Sequence, residues 1–279
     1  MQQFEPREAA SFDIGAIMGA LYGAGITALA GAFPPEWADR LHHDVMAEYA
    51  SARARPSGAI PRGPERFYVE THPERITGFA DIIAHPWFVA VCAAVLGPDY
   101  RIIELGFDIP FPGAQDQPWH RDFAMPLQTR EGRRLNSLAF NLTTVDTRPD
   151  HGPFEIAPGT QWDALPDARD GMFPPEDQWP RFIDRAVAKL PQRGDMSART
   201  ALTVHRGTAN RSNEPRPVLI VGVDTPDQGN AGRHRMQVTA DYLAALQPVA
   251  RKHLHCRIVE QLGVIEQRHM IEGLLSAAA

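Results

Sequence analysis

Apolar residues change their spacing once along the chain. In the first hundred positions they recur at helical intervals, and after that they gather into short runs between Pro, Gly and Asp. The stretch IGAIMGALYGAG from Ile14 mixes small and apolar residues and ends on glycine, which predicts a helix. The apolar run Ile26 to Phe33 predicts a strand. After Pro34-Pro35, the residues Trp37, Leu41, Val45, Met46 and Tyr49 fall on one helical face. Residues 51–64 are rich in Pro, Gly and Arg and predict a loop. A further helix is expected from Pro86 to Leu96, stopped by Gly97-Pro98.

From residue 100 the runs RIIELGFDI, SLAFNLTTV, PFEIAP, TALTVH and RPVLIVGVD read as strands, being β-branched or aromatic and bounded by turn residues. Most have no helix between them, so a parallel βαβ sheet does not fit. The pattern predicts a mainly β domain, an antiparallel sandwich or barrel with flanking helices. Residues 162–195 interrupt it with a long excursion, expected to be a lid, and the segment DRAVAKL within it reads as a short helix. From about Ala240 two more helices are expected, DYLAALQPVARKHL and IVEQLGVIEQRHMIEGLL. The organisation read from these patterns is one domain over 1–279: a helical cover over 1–99 with one or two strands, a β core over 100–225 and a helical tail over 226–279.

Composition narrows the function. The chain has 279 residues, 43% hydrophobic and 22% charged, with a formal net charge of -6. That excludes a disordered or fibrous chain and argues against nucleic-acid binding through global charge. Cys92 and Cys256 are too few for a disulfide framework and lack metal-type spacing. The first residues carry acids where a secretion signal has bases, and the apolar stretch from Ile14 to Phe33 is broken by glycines, so neither a signal peptide nor a membrane span is expected. The expected setting is cytoplasmic, the partner a small molecule, and the assembly a monomer or homodimer.

The chemistry concentrates in two segments. In Gln117-Pro118-Trp119-His120-Arg121-Asp122-Phe123, the histidine and the aspartate are two apart, which on extended backbone puts both on one face. Arg121 then points away, with solvent as its expected surroundings. Alone, such a pair occurs often by chance. A third candidate ligand, His205, ends the strand-like run TALTVH. Ser212 to Pro215 is turn chemistry, so the chain returns with Arg216 at the start of the next strand, near the metal but not on it. Two histidines and a carboxylate with open positions opposite are the ligand set of non-haem Fe(II) oxygenases. Fe(II) held this way can take a 2-oxo acid and O2, and Arg216 is placed to clamp the far carboxylate of 2-oxoglutarate. The Arg-rich segment at 51–66 is a candidate for meeting an anion.

These segments carry a resemblance. PWHRD at 118–122, HGPFEIAPGT at 151–160, GDM at 194–196 and the frame His205, Asn210, Arg216 resemble the phytanoyl-CoA dioxygenase family of Fe(II)/2-oxoglutarate oxygenases. The strong match spans roughly residues 100–225. It departs from the usual pattern at His151-Gly152, at Gly159-Thr160-Gln161 and at Gly207, where serine is common. The resemblance implies a double-stranded β-helix (jelly roll), iron on His120, Asp122 and His205, and 2-oxoglutarate on Arg216. Asn141, Thr143 and Ser212 are candidates for further co-substrate contacts. Trp119, Phe123, Trp162, Phe173, Trp179 and Arg181 are candidates for substrate contact. Asp122 is an aspartate rather than Gly or Ala, which resembles the hydroxylases and not the related halogenases. The implied activity is hydroxylation of an unactivated C–H bond in a small metabolite or natural-product intermediate, with desaturation, cyclisation, epoxidation, stereoinversion and a non-catalytic binding protein as alternatives.

Overall fold

A computed structural model describes residues 12–267. The chain opens with α1 (Ile14–Gly23), capped by the Asp13 carboxylate on the Ala16 amide, then β1 (Ile26–Leu29) and α2 (Pro35–Arg53). Two strands come next, β2 (Ile60–Pro61) and β3 (Arg66–Glu70), then the helices α3 (Phe79–Ala84) and α4 (Pro86–Leu96). The long strand β4 (Arg101–Pro110) leads through the short α5 (Leu127–Gly132) to β5 (Ser137–Thr143) and β6 (Phe154–Ile156). After α6 (Pro180–Ile183) come β7 (Val187–Lys189), β8 (Met196–Thr200), β9 (His205–Gly207) and β10 (Val218–Asp224). The last elements among the described residues are β11 (Gln237–Thr239), α7 (Ala240–Ala245), α8 (Pro248–Arg251) and β12 (Arg257–Val259). Among the described residues no helix is long and apolar enough to cross a membrane.

The strands form a jelly roll. A seven-stranded sheet runs β1-β8-β5-β10-β4-β3-β2, and a three-stranded sheet runs β7-β6-β9. Pairing within both is antiparallel. Strand alternation divides the large sheet by face. Leu219, Val221 and Val223 of β10, Leu105, Phe107 and Ile109 of β4, and Leu138, Phe140 and Leu142 of β5 join the core against the helices. Phe140 is fully buried between Trp87 and Phe88 of α4, its ring centroid 4.1 Å from that of Phe88. Each such aromatic contributes roughly 1.5–3 kcal/mol by leaving water. The opposite face carries Asp108, Asn141, Thr143, Val218 and Ile220, which line a cavity closed on its other side by Phe154, Lys189, His205 and Gly207 of the small sheet.

Four expectations change. Residues 1–99 supply three strands to the large sheet, β1, β2 and β3, rather than one or two, because each pairs with a distant strand or with the hairpin beside it. The run TALTVH is not one strand: β8 ends at Thr200 and β9 starts at His205. The Thr200 and Thr203 hydroxyls lie 3.0 Å apart, and Thr200 Oγ1 accepts from the Leu202 amide, so side-chain bonding turns the chain between them. The segment DRAVAKL contains β7 rather than a helix, because Val187 to Lys189 pair with β6 and tertiary pairing outweighs local propensity. The helical tail is shorter than expected. Pro248 splits the first predicted helix, and the second begins within β12, which pairs in parallel with β11. From there to residue 267 the second predicted helix is irregular, its backbone tied down by Gly263 to Gln237 and His72. The end of that prediction, residues 268–275, lies outside the described residues.

Candidate metal centre

The two histidines meet through the backbone. His120 and His205 exchange both main-chain hydrogen bonds, each 2.9 Å, as an isolated antiparallel bridge. A directly opposed pair of this kind puts both side chains on one side, and the ring centroids are 4.4 Å apart. The Asp122 amide donates to the Ala201 carbonyl at 3.0 Å, which brings the third side chain over the turn between β8 and β9. One ligand atom from each of His120, Asp122 and His205 lies within 4.8 Å of the others.

Each imidazole is oriented by a second contact. His120 Nδ1 is 2.8 Å from the Pro118 carbonyl and His205 Nδ1 is 2.8 Å from the Thr203 carbonyl. A carbonyl only accepts, so both Nδ1 atoms carry the proton and both Nε2 atoms keep a lone pair. Burial, with the neighbouring imidazole, holds His120 well below its ordinary pKa; burial and then Arg199 lower His205. Both rings are neutral at neutral pH, as ligands need to be. For Asp122, burial alone raises the carboxyl, but Arg199 and His205 outweigh it and hold it well below the usual range. Arg199 Nη1 donates to Asp122 Oδ2 at 2.5 Å, while Oδ1 faces His205 Nε2 at 3.4 Å. The donor set of two imidazole nitrogens and one carboxylate oxygen fits a divalent first-row metal of the Fe(II) type.

The triad sits in the wall of a cavity of about 310 Å³. Arg216 also lines it, 4% exposed, with its Nε donating to the Gly152 carbonyl at 3.0 Å. Burial, and then Arg66 nearby, lower this guanidinium to about 10, so it stays cationic at neutral pH. Arg66 is itself buried and paired with Asp108 at 3.1 Å. Gly207 is where serine is common, and the space explains it: a Cβ there would overlap the Arg66 guanidinium.

A model of the phytanoyl-CoA dioxygenase family matches residues 21–218. The chain belongs to that family. Its fold is shared by solved structures of low sequence identity. One is the non-haem alpha-ketoglutarate-dependent carbocyclase SnoK from nogalamycin biosynthesis, at TM-score 0.60 and 18% identity, covering 82% of this chain and 94% of SnoK. Another is the epimerase SnoN in complex with Fe3+, alpha-ketoglutarate and nogalamycin RO, at TM-score 0.57 and 18% identity, covering 76% of this chain and 83% of SnoN.

Within this family member the other candidates divide by position. Asn141 and Thr143 lie on the cavity face, in line with Ile220 and Val218. Ser212 does not reach the cavity; its hydroxyl donates within its own turn, to Asn210 Oδ1 and the Glu214 carbonyl. Trp119 is fully buried against Ala157, Phe182 and Val204, away from the cavity. Trp162 packs on Tyr22 and donates to its carbonyl; Trp179 donates to the Pro174 carbonyl; Arg181 lies over Phe182. Phe173 stacks on the back of the His120 ring at 5.7 Å and lines an outer groove instead. Four of these five belong to the excursion, of which only the end, Lys189 to Pro191 with Asp195, lines the cavity, and Trp119 is taken up by the core beside the small sheet. Phe123 packs on Ala201 and Leu202 beside Asp122, at a second pocket. Arg121 is 2% exposed rather than solvated: its Nη2 donates to the carbonyls of Thr160 and Asp163, anchoring the excursion.

Sequence reasoning missed Arg199, Lys189 and the strand β3, which brings Arg66. Arg62 and Arg66, from the Arg-rich segment, do line the cavity. Period-two alternation in MSART carries the signal for Arg199, since Ser197 and Arg199 share the face that Asn141 and Ala139 oppose.

Proposed function

We propose that the protein is a 2-oxoglutarate-dependent non-haem iron oxygenase acting on a C–H bond of a small organic molecule. His120, Asp122 and His205 are assigned as the Fe(II) ligands, and Arg216 as the clamp for the far carboxylate of 2-oxoglutarate, with Asn141 and Thr143 beside it. The observation that carries this is a pair of oriented, neutral imidazoles and a carboxylate in the wall of a cavity whose lining also holds the buried Arg216 guanidinium.

With Fe(II) and O2 bound, such a site converts 2-oxoglutarate to succinate and CO2 and leaves one oxygen atom for the substrate. The chain's own part is placement. The Pro118 and Thr203 carbonyls aim both Nε2 lone pairs inward. Arg199 occupies one Asp122 oxygen and leaves the other facing the histidines. Arg216 keeps its charge in the lining of the cavity between the two sheets. SnoK is a carbocyclase and SnoN an epimerase, so ring closure and stereoinversion stand beside hydroxylation as outcomes of one site, and the product separates them.

The test is succinate formation from 2-oxoglutarate with Fe(II) and O2. Wild type is expected to produce it, and Asp122→Ala to lose about a hundredfold or more. Arg216→Met is expected to raise KM for 2-oxoglutarate about tenfold or more, with a smaller effect on kcat. Folded wild type that makes no succinate, with or without added metabolite extracts, sinks the assignment and leaves a binding protein.

A further inference from the structure

The cavity face of the large sheet is polar at both ends and opposite in sign. Arg216 precedes β10 at one end, and Asp224 closes β10 at the other. Val218, Ile220, Gly222 and Asp224 share the cavity face by strand alternation, while Leu219, Val221 and Val223 face the helices. Arg199 and Gly222 both stand opposite Ala139, in one row across the sheet. Asp224 lies two residues further, about 7 Å along the strand. It therefore sits past the Arg199–Asp122 pair, on the side away from Arg216.

A second pocket of about 80 Å³ occupies that end, and Arg62, Asp122, Arg199 and Ile220 line both it and the larger cavity. Asp224 lines it at 2% exposure, and neither carboxylate oxygen accepts a hydrogen bond of ordinary geometry. A buried carboxylate with only Ser137 and Asn230 as donors, both outside ordinary hydrogen-bond geometry, is costly to keep. Burial pushes its carboxyl up to about 6, with Ser137 and Asn230 offsetting part of that rise. Glu104 is its acidic neighbour, taking the Tyr68 hydroxyl on one oxygen at 2.6 Å, with His234 Nε2 3.9 Å from the other. The cations around the pocket are engaged by other groups or exposed, and His234 is in addition an electrostatic neighbour of Asp224. Arg199 holds Asp122, Arg62 lies on the Tyr68 ring, Arg233 is exposed, and His234 stands between Glu70 and Glu104. Among the described residues no cation forms an ion pair with Asp224.

We propose that this pocket receives a protonated amino group of the substrate, held by the Asp224 carboxylate with Glu104 as a second acceptor. The proposal rests on the oxygenase reading above for what happens to that substrate, but the pocket and its charge exist without the metal. The two ends then sort the ligands by sign: the anionic co-substrate toward Arg216, the cationic group of the substrate toward Asp224, with the triad between them.

The probes are n-butylamine, benzylamine and phenethylamine, each against the alcohol of the same skeleton. They are titrated by calorimetry into the metal-free protein and into the protein loaded anaerobically with Fe(II) and 2-oxoglutarate. At least one amine is expected to bind about tenfold or more tighter than its alcohol, as a charge-assisted hydrogen bond implies. Asp224→Asn, which keeps the shape, is expected to abolish the preference while leaving 2-oxoglutarate binding unchanged; Glu104→Gln is expected to weaken it less. Amines that bind no better than alcohols, no amine binding at all, a preference that survives Asp224→Asn, or a parallel loss of 2-oxoglutarate affinity overturns the proposal. An amine preference in a protein that never binds Fe(II) and 2-oxoglutarate keeps the pocket and discards the oxygenase reading.

Discussion

Arg199 and Asp224 are charged side chains on one face of one sheet, and their surroundings treat them differently. Arg199 is paired with Asp122, so its burial is offset by an ion pair. Asp224 has burial without an ion-pair partner among the described residues, which sets a measurable pH dependence. Its carboxyl is raised to about 6 in the folded protein, against about 3.9 in an unfolded chain. Between those values this group binds more protons in the folded state than in the unfolded state, so its contribution to stability is greatest in acid and falls as pH rises through this window. The cost above it reaches about 3 kcal/mol. Asp224→Asn removes the titration. Its melting temperature is expected to exceed that of wild type at about pH 8, with the gap closing toward about pH 4. A gap that does not change with pH contradicts the assignment. Single residues are where the sequence was least legible. His120, Asp122, His205 and Arg216 announce themselves by type and spacing, whereas Arg199 is one arginine among many until strand register places it beside Asp122. Trp119 and Ser212 show the converse, since residue type suggested a site and packing or a turn had already claimed each.

Elements with a strong internal pattern were readable. The helix at Pro86–Leu96, between a proline start and a glycine stop, and the strands β4, β5 and β10 follow from apolar periodicity and punctuation. Among elements of three to five residues, β1 and β6 were readable as apolar runs between turn residues, and three others were not. β3, β7 and β12 exist through pairing with distant partners, and nothing local distinguishes them from loop or helix. The break between β8 and β9 rests on two threonine hydroxyls within an otherwise strand-like run. It matters for function, because that turn carries Ala201, whose carbonyl holds the Asp122 amide. The layer of helices on the large sheet depends on close packing at β5. Phe140→Ala is expected to cost about 3–5 kcal/mol in urea denaturation. A loss under about 1 kcal/mol contradicts the packing described for α4 against β5.

The whole molecule arranges two sheets around a cavity lined by Arg216, with Asp224 in a smaller pocket beside it. Helices bury the far face of the large sheet and free the near face to be polar. The small sheet brings His205, and the segment before α5 brings His120 and Asp122. The family was legible from four short motifs; the jelly roll they implied places Arg216 and the triad on the same cavity. The central claim is that these side chains bind Fe(II) and 2-oxoglutarate together, and one measurement addresses it most directly. Metal-free protein is titrated with Fe(II) and then 2-oxoglutarate without oxygen, watching for the weak visible charge-transfer band of the chelate. The account predicts a saturable band in wild type, its loss in Asp122→Ala and His205→Ala, and about tenfold or more 2-oxoglutarate for half-saturation in Arg216→Met. Folded wild type that gives no band, or a band that persists unchanged in all three variants, contradicts it.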